Sequence, residues 1–255
     1  MSYVQSEIRG HILVITLNRP EARNAFNAEM AAEMEAIIDR YEADPELRVA
    51  VLRAEGDTFC AGQDLKEAAQ GKLALTAKRG AFGVMRKPPV KPLIAAVEGQ
   101  ALAGGMELTL CCDLVIASSA SVFGLAEVKR SLVAIGGGLF RLPKRVPWPV
   151  AMEMILTAEP KSAQEMKHFG FVNSVVEPGA VLEEALRFAA LIARNGPLAV
   201  KASKAIALAA MTENWKDDEA WDRQMTLVGP VQQSEDLKEG LAAFAQKREP
   251  VWKAR

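Results

Sequence analysis

The sequence is poor in cysteine and histidine. Its 255 residues include three cysteines, Cys60, Cys111 and Cys112, and two histidines, His11 and His168. Two of the cysteines are neighbours, none forms a C-x-x-C pair, and no histidine lies near them. Neither a zinc site nor a disulfide framework is indicated, so buried, reduced thiols in a cytoplasmic protein are expected. The histidines sit outside any motif that supplies a nucleophile and partner, which argues against a hydrolytic triad. A surplus of one charge sign is also missing. Lys and Arg number 31 against 32 Asp and Glu, for a net charge of −1. That balance speaks against a nucleic-acid partner, which usually draws a basic excess. It leaves room for a small anionic ligand held by a few local cations. No apolar run approaches the roughly 20 residues of a membrane span, and the opening M-S-Y-V-Q-S-E-I-R-G has no apolar signal region, so no membrane partner is expected. There is no tandem repeat, no P-loop, and no G-x-G-x-x-G after a first strand; the G-G-G run at 136–138 alone does not make a dinucleotide site.

What is present reads as alternating strands and helices. H-I-L-V-I-T-L-N from His11 has the apolar, β-branched character of a strand, closed by the Pro and Asn turn signals of N-R-P-E-A-R-N. A helix follows, with Asn27 as its cap and Met30, Met34, Ile37, Ile38 and Tyr41 on one face. R-V-A-V-L-R-A, P-L-I-A-A-V, D-L-V-I-A-S and S-V-F-G read as further strands. Such alternation predicts an α/β protein with a largely parallel sheet buried on both faces. From about residue 196 three helical patterns follow one another with no strand between them. Trp215, Trp221 and Trp252 in this tail suit packing or an interface.

Two strand-to-helix junctions resemble each other: G-D-T-F-C-A-G-Q-D-L and G-Q-A-L-A-G-G-M-E-L. Each carries small residues, Ala61-Gly62 and Gly104-Gly105, that let a ligand approach main-chain N–H groups at a helix start. Two such groups aimed at one point make an oxyanion hole. Tight helix-on-strand packing also needs Gly and Ala, so spacing alone leaves both readings open. Glu107 lies in the first turn of an apolar helix and Glu127 just after a short strand. A carboxylate in apolar surroundings is costly unless paired, protonated or functional. A partner Lys or Arg for Glu107, and an exposed helix start for Glu127, are the plain alternatives.

Taken together and in order, F-C-A-G-Q-D-L (59–65), A-L-A-G-G-M-E-L-T-L-C-C-D (101–113), F-G-L-A-E-V (123–128), S-A-Q-E-M-K-H-F-G-F-V-N (162–173) and K-E-G-L-A-A-F-A-Q-K-R near the end resemble the crotonase superfamily, the enoyl-CoA hydratase/isomerase family, over nearly the whole chain. The resemblance implies a spiral of ββα units over residues 1–195 and a helical region over 196–255 that assembles trimers or hexamers. It implies a coenzyme A thioester as substrate, with no metal or separate cofactor. The thioester carbonyl would sit between the N–H groups of Ala61 and Gly104. Glu107 and Glu127 would hold a water over the C2–C3 double bond, Glu107 as base and Glu127 as acid. Ala22, Arg23, Gln63, Asp64 and Leu65 would border CoA, and Phe244 and Lys247 would reach it from the last helix, across a subunit boundary. Hydration is therefore expected. An isomerase or acyl-CoA hydrolase on the same scaffold would use one glutamate, and a non-catalytic acyl-CoA-binding subunit is the alternative of another class. One segment departs from the family: Ala134 and Ile135 stand where hydratases commonly carry Pro-Gly, and the bulk of Ile135 bears on substrate size.

Overall fold

In the computed structural model, which describes residues 2–255, eleven strands run in chain order as β1 (Val4–Arg9), β2 (Ile12–Leu17), β3 (Val49–Ala54), β4 (Leu75–Thr76), β5 (Gly80–Ala81), β6 (Leu93–Val97), β7 (Gln100–Leu102), β8 (Leu114–Ser118), β9 (Val122–Gly124), β10 (Lys161–Ser162) and β11 (Ser174–Val176). The helices are α1 (Ala28–Ala43), α2 (Leu65–Ala68), α3 (Gly104–Thr109), α4 (Gly138–Arg141), α5 (Trp148–Thr157), α6 (Ala163–His168), α7 (Val181–Ala193), α8 (Pro197–Glu213), α9 (Asp217–Gln232) and α10 (Glu235–Gln246).

The main sheet has the order β1-β2-β3-β6-β8-β11 and is parallel except for the β1–β2 pair. Continuous apolar runs such as V-A-V-L in β3 and L-I-A-A-V in β6 suit this role, because a parallel strand is covered on both sides. On one side α7 lays Val181, Ala185, Ala189 and Ala193 against Val49, Val51, Ile94 and Ile116. On the other, α1 buries the predicted face of Met30, Met34, Ile37, Ile38 and Tyr41. The Asn27 side chain accepts the Met30 N–H at 2.9 Å, closing one of the unpaired donors of the first turn. The Tyr41 hydroxyl donates to the Pro92 carbonyl at 2.7 Å and ties α1 to the start of β6.

Positioning of the site comes from a second, smaller ladder. β7 lies parallel to β9, with Leu102 opposite Gly124, and an isolated parallel bridge sets Cys60 opposite Ala101. Each coil of the chain therefore leaves the main sheet, adds a short strand to this ladder and turns into a helix. Successive coils stack like steps, which is the spiral anticipated from the motifs.

β1 and β7 are among the elements that no sequence pattern marks. β1 buries only Val4 and has no alternating pattern to betray it, and the three-residue β7 is too short for a period. Beyond Gly196 the chain is helical. Lys204 of α8 reaches Asp113 at 2.7 Å and the carbonyls of Pro89 and Lys91, at the entry ends of β6 and β8. Cys60, Cys111 and Cys112 are buried free thiols.

Candidate active site

The ladder brings three segments side by side where they leave their strands: residues 61–65, 103–107 and 125–127. Their closeness demands bare backbone. A Cβ at Gly105 would collide with the Cys60 carbonyl oxygen, and one at Gly104 would lie 2.6 Å from Phe82 Cζ and 3.3 Å from Gly62 Cα. Gly105 is thus a packing glycine. At Gly104 packing and access coincide. Before it, Ala103 holds φ 51° and ψ −124°, a region that disfavours side chains, and α3 starts directly after.

Gly104 N–H, first in α3, has no acceptor among the described residues. The expectation for Ala61 fails here: its N–H donates to the Arg23 carbonyl at 3.1 Å and is not open to a ligand. The open amide on that coil is Gln63. Phe26 N–H donates to the Gly62 carbonyl and Asp64 N–H donates to the Phe26 carbonyl, both at 2.8 Å, which leaves the intervening Gln63 N–H without an acceptor among the described residues. Gly62, at φ 100°, makes the turn that separates the two amides.

Glu107 is buried, 5 % exposed, on the fully buried α3. Among the described residues no Lys or Arg forms an ion pair with it; its Oε1 accepts the Gly138 N–H at 2.9 Å, and the Gly136 and Gly137 amides face the same carboxylate. A Cβ at Gly136 would stand 2.6 Å from Glu107 Oε2, so the three glycines form a close-fitting cradle. Burial pushes the Glu107 carboxyl above its ordinary value, while the amides and the Arg141 charge act against that rise. Glu127 opens a 3-10 turn, Glu127–Arg130, after β9. Its Oε2 is buried with no hydrogen-bond partner among the described residues, and burial, reinforced by the Glu107 charge, pushes this carboxyl up to about 7. Two carboxyls of one kind sit in one neighbourhood in unlike protonation environments, the pattern that separates an acid from a base.

Sequence reasoning passed over the rest of this setting. The glycine run it declined as a nucleotide loop is the cradle. Phe82, stacked on Phe26 at 4.2 Å between ring centroids, and Met85 arrive from a segment without periodic pattern. Ala134 is buried, whereas Ile135 is 89 % exposed, so its bulk fills no packed space within the chain.

Of the residues expected along CoA, Ala22, Arg23, Gln63, Asp64 and Leu65 gather on one edge of the site, with Arg23 in a left-handed turn whose carbonyl meets Ala61. Leu65 is exposed. The Asp64 carboxylate is already engaged: it pairs with Arg19 at 2.8 Å and caps α2 through the Lys66 and Glu67 amides. That contact with Arg19 holds it below the usual carboxylate range. Phe244 and Lys247 do not join the site within one chain. α10 packs on α9, and Gly240 on the terminal Trp252, whose carbonyl meets Arg48 just before β3, whereas the site lies beyond the other end of that strand.

Comparison with known proteins matches this geometry to a family. A family model described as enoyl-CoA hydratase/isomerase covers residues 7–255. Curated relatives include an enoyl-CoA hydratase, EchA19, of Mycobacterium tuberculosis, 40% identical over 98% of this chain and 96% of that protein. Another is the (E)-benzylidenesuccinyl-CoA hydratase of Thauera aromatica, 38% identical over 98% of each chain. Among solved structures, an enoyl-CoA hydratase from Mycobacterium tuberculosis H37Rv superposes with a TM-score of 0.97 at 46% identity, covering 100% of both chains. The chain belongs to the enoyl-CoA hydratase/isomerase family.

Proposed function

We propose that this protein is an enoyl-CoA hydratase, a hydro-lyase that adds water across the C2–C3 double bond of a 2-enoyl-CoA thioester. The observation that carries the reading is the pairing of Glu107 and Glu127 on neighbouring coils, beside two unpaired main-chain amides. The thioester oxygen takes the N–H groups of Gly104 and Gln63. Drawing electron density onto that oxygen makes C3 electrophilic. Glu107, held by amides that favour its ionised form, removes a proton from water as the water oxygen bonds to C3. Glu127, whose pKa raised to about 7 keeps a protonated fraction available near neutrality, delivers a proton to C2 as the enolate collapses. Each carboxyl then returns to its starting state by proton exchange. In related acyl chemistry one oxyanion donor contributes about 3–4 kcal/mol.

Coenzyme A is part of the substrate in this reading, and the reaction as written uses no metal or further cofactor. Arg23 offers its exposed charge to the CoA phosphates, and Ala22, Gln63 and Leu65 line the pantetheine and adenine. Phe244 and Lys247 serve the site of a neighbouring subunit, in a trimer or a hexamer. Relatives named for benzylidenesuccinyl-CoA, mevalonyl-CoA and carnitinyl-CoA conversion share the hydration chemistry across different acyl groups, so the acyl group here is a separate question. Retention of both glutamates favours hydration over isomerisation or thioester hydrolysis.

The test is loss of the enoyl absorbance of crotonyl-CoA and longer enoyl-CoAs. Glu107→Gln and Glu127→Gln should each lower kcat by about 10²–10⁴-fold while KM changes little. Wild-type rates in both variants, or thiol release in place of hydration, would overturn the assignment.

A further inference from the structure

Arg141 lies at the end of the four-residue α4 that follows the glycine cradle, and the reaction described above does not use it. Its guanidinium nevertheless makes contacts on three sides. Nη1 donates to the Gly136 carbonyl at 3.1 Å and lies 3.4 Å from Cys111 Sγ; Nη2 donates to the Met85 carbonyl at 2.7 Å. Gly136 belongs to the turn whose amides surround the Glu107 carboxylate, Met85 lies within reach of a Cβ built on Gly136, and Cys111 donates to the Glu107 carbonyl at 3.3 Å. One planar fork therefore fastens together the cradle, the loop that carries Met85 and the turn that ends the helix carrying the glutamate. A lysine, with a single point of charge, cannot reproduce that geometry.

We infer that Arg141 is a positioning residue that clamps the Gly136–Gly138 turn onto Glu107 and so holds this carboxylate ionised and aimed at the reacting water. The inference rests on Glu107 being the base of the proposed reaction. The other titratable groups facing Glu107 are Glu127 from the 3-10 turn after β9 and Cys111 from the turn that ends α3; the loop that brings Phe82 and Met85, and Leu125 beyond β9, present apolar groups. Arg141 is the one positive charge that acts on the carboxylate among the described residues, and it works against the rise that burial imposes.

The experiment compares wild type with Arg141→Gln and Arg141→Lys in two readouts. The first is the pH dependence of kcat/KM. Losing the charge raises the pKa of Glu107, so the acidic limb of the Gln variant should move up by about one pH unit, with kcat at the optimum lowered roughly ten- to hundredfold by the loosened cradle. The Lys variant keeps the charge without the fork: its limb should lie nearer wild type while its kcat still falls. The second readout is a carboxyl-stretch infrared titration, with Glu107→Gln as the blank, which follows the carboxyl without turnover. A shift in both readouts supports the clamp. A carboxyl shift without movement of the kinetic limb also supports the clamp and sinks Glu107 as the base instead. An infrared titration of Glu107 unchanged in both variants overturns the inference, and Arg141 is then a fold-stabilising residue only.

Discussion

Glu107 and Glu127 show how far surroundings can divide two residues of one type. Glu107 meets three glycine amides and an arginine; Glu127 keeps a buried oxygen that nothing among the described residues satisfies. The cost of the second arrangement should be visible in stability. The folded Glu127 carboxyl is raised to about 7 from an ordinary value of 4.5, so between these values the folded chain binds more protons than the unfolded one. Stability from this group is full below the ordinary value and is lost as pH rises toward and through the raised one. Glu127→Gln removes that dependence. Its Tm should fall less than that of wild type between about pH 5 and pH 8 and should exceed it at the alkaline end. Equal falls in the two proteins would show that burial of Glu127 carries no such cost. Much of this was readable in advance, since a glutamate inside A-G-G-M-E-L-T-L announces an unusual site. The open amide was not readable. The motif marks the 59–65 coil, but one positive φ at Gly62 decides that Gln63 and not Ala61 is left without an acceptor.

Among the elements, the junction of β7 and α3 brings two coils together too closely for a side chain between them. Gly105 faces the Cys60 carbonyl of the preceding coil with no space for a methyl group. Gly105→Ala should therefore destabilise by at least about 2 kcal/mol in denaturant unfolding, because backbone and not a flexible side chain must move. A stable Gly105→Ala protein with normal unfolding would mean that the coils are not locked at this point. The strands and α1 were legible because apolar periodicity is a local signal. The segment after α2 was not, since its course is set by remote partners. Arg79, buried, pairs with Asp39 at 2.7 Å and also with Glu42, both on α1, and so pins the loop that delivers Phe82 and Met85. Nothing in the neighbourhood of residue 79 announces partners about forty positions earlier.

At the scale of the whole molecule, the helical region is the part that one chain leaves unfinished. α8 and α9 run for 17 and 16 residues without one buried side chain, and Met211, Trp221, Met225, Leu241 and Phe244 stand exposed on this surface. Long helices of a stable protein bury an apolar stripe somewhere. Association through this face is the expected remedy, with light scattering reporting a trimer or a multiple of one. Trp221→Glu together with Met225→Glu should shift the particle toward monomer and lower CoA affinity at the same time. A wild-type monomer at micromolar concentration with full activity would contradict both parts.

The stacked ladder has a consequence for how such a protein can diversify. The two coils that carry Glu107 and Glu127 are set side by side by main-chain pairing of Leu102 with Gly124, a rung that is indifferent to side-chain identity. The Phe82–Met85 loop, which packs against Gly104 and Gly136 beside the site, belongs to no such rung. In the proposed reaction, recognition of the acyl group can therefore drift by point changes in that loop while the Glu107–Glu127 pair stays in register, so a graft of loop residues from a relative should transfer substrate preference without rebuilding the chemistry.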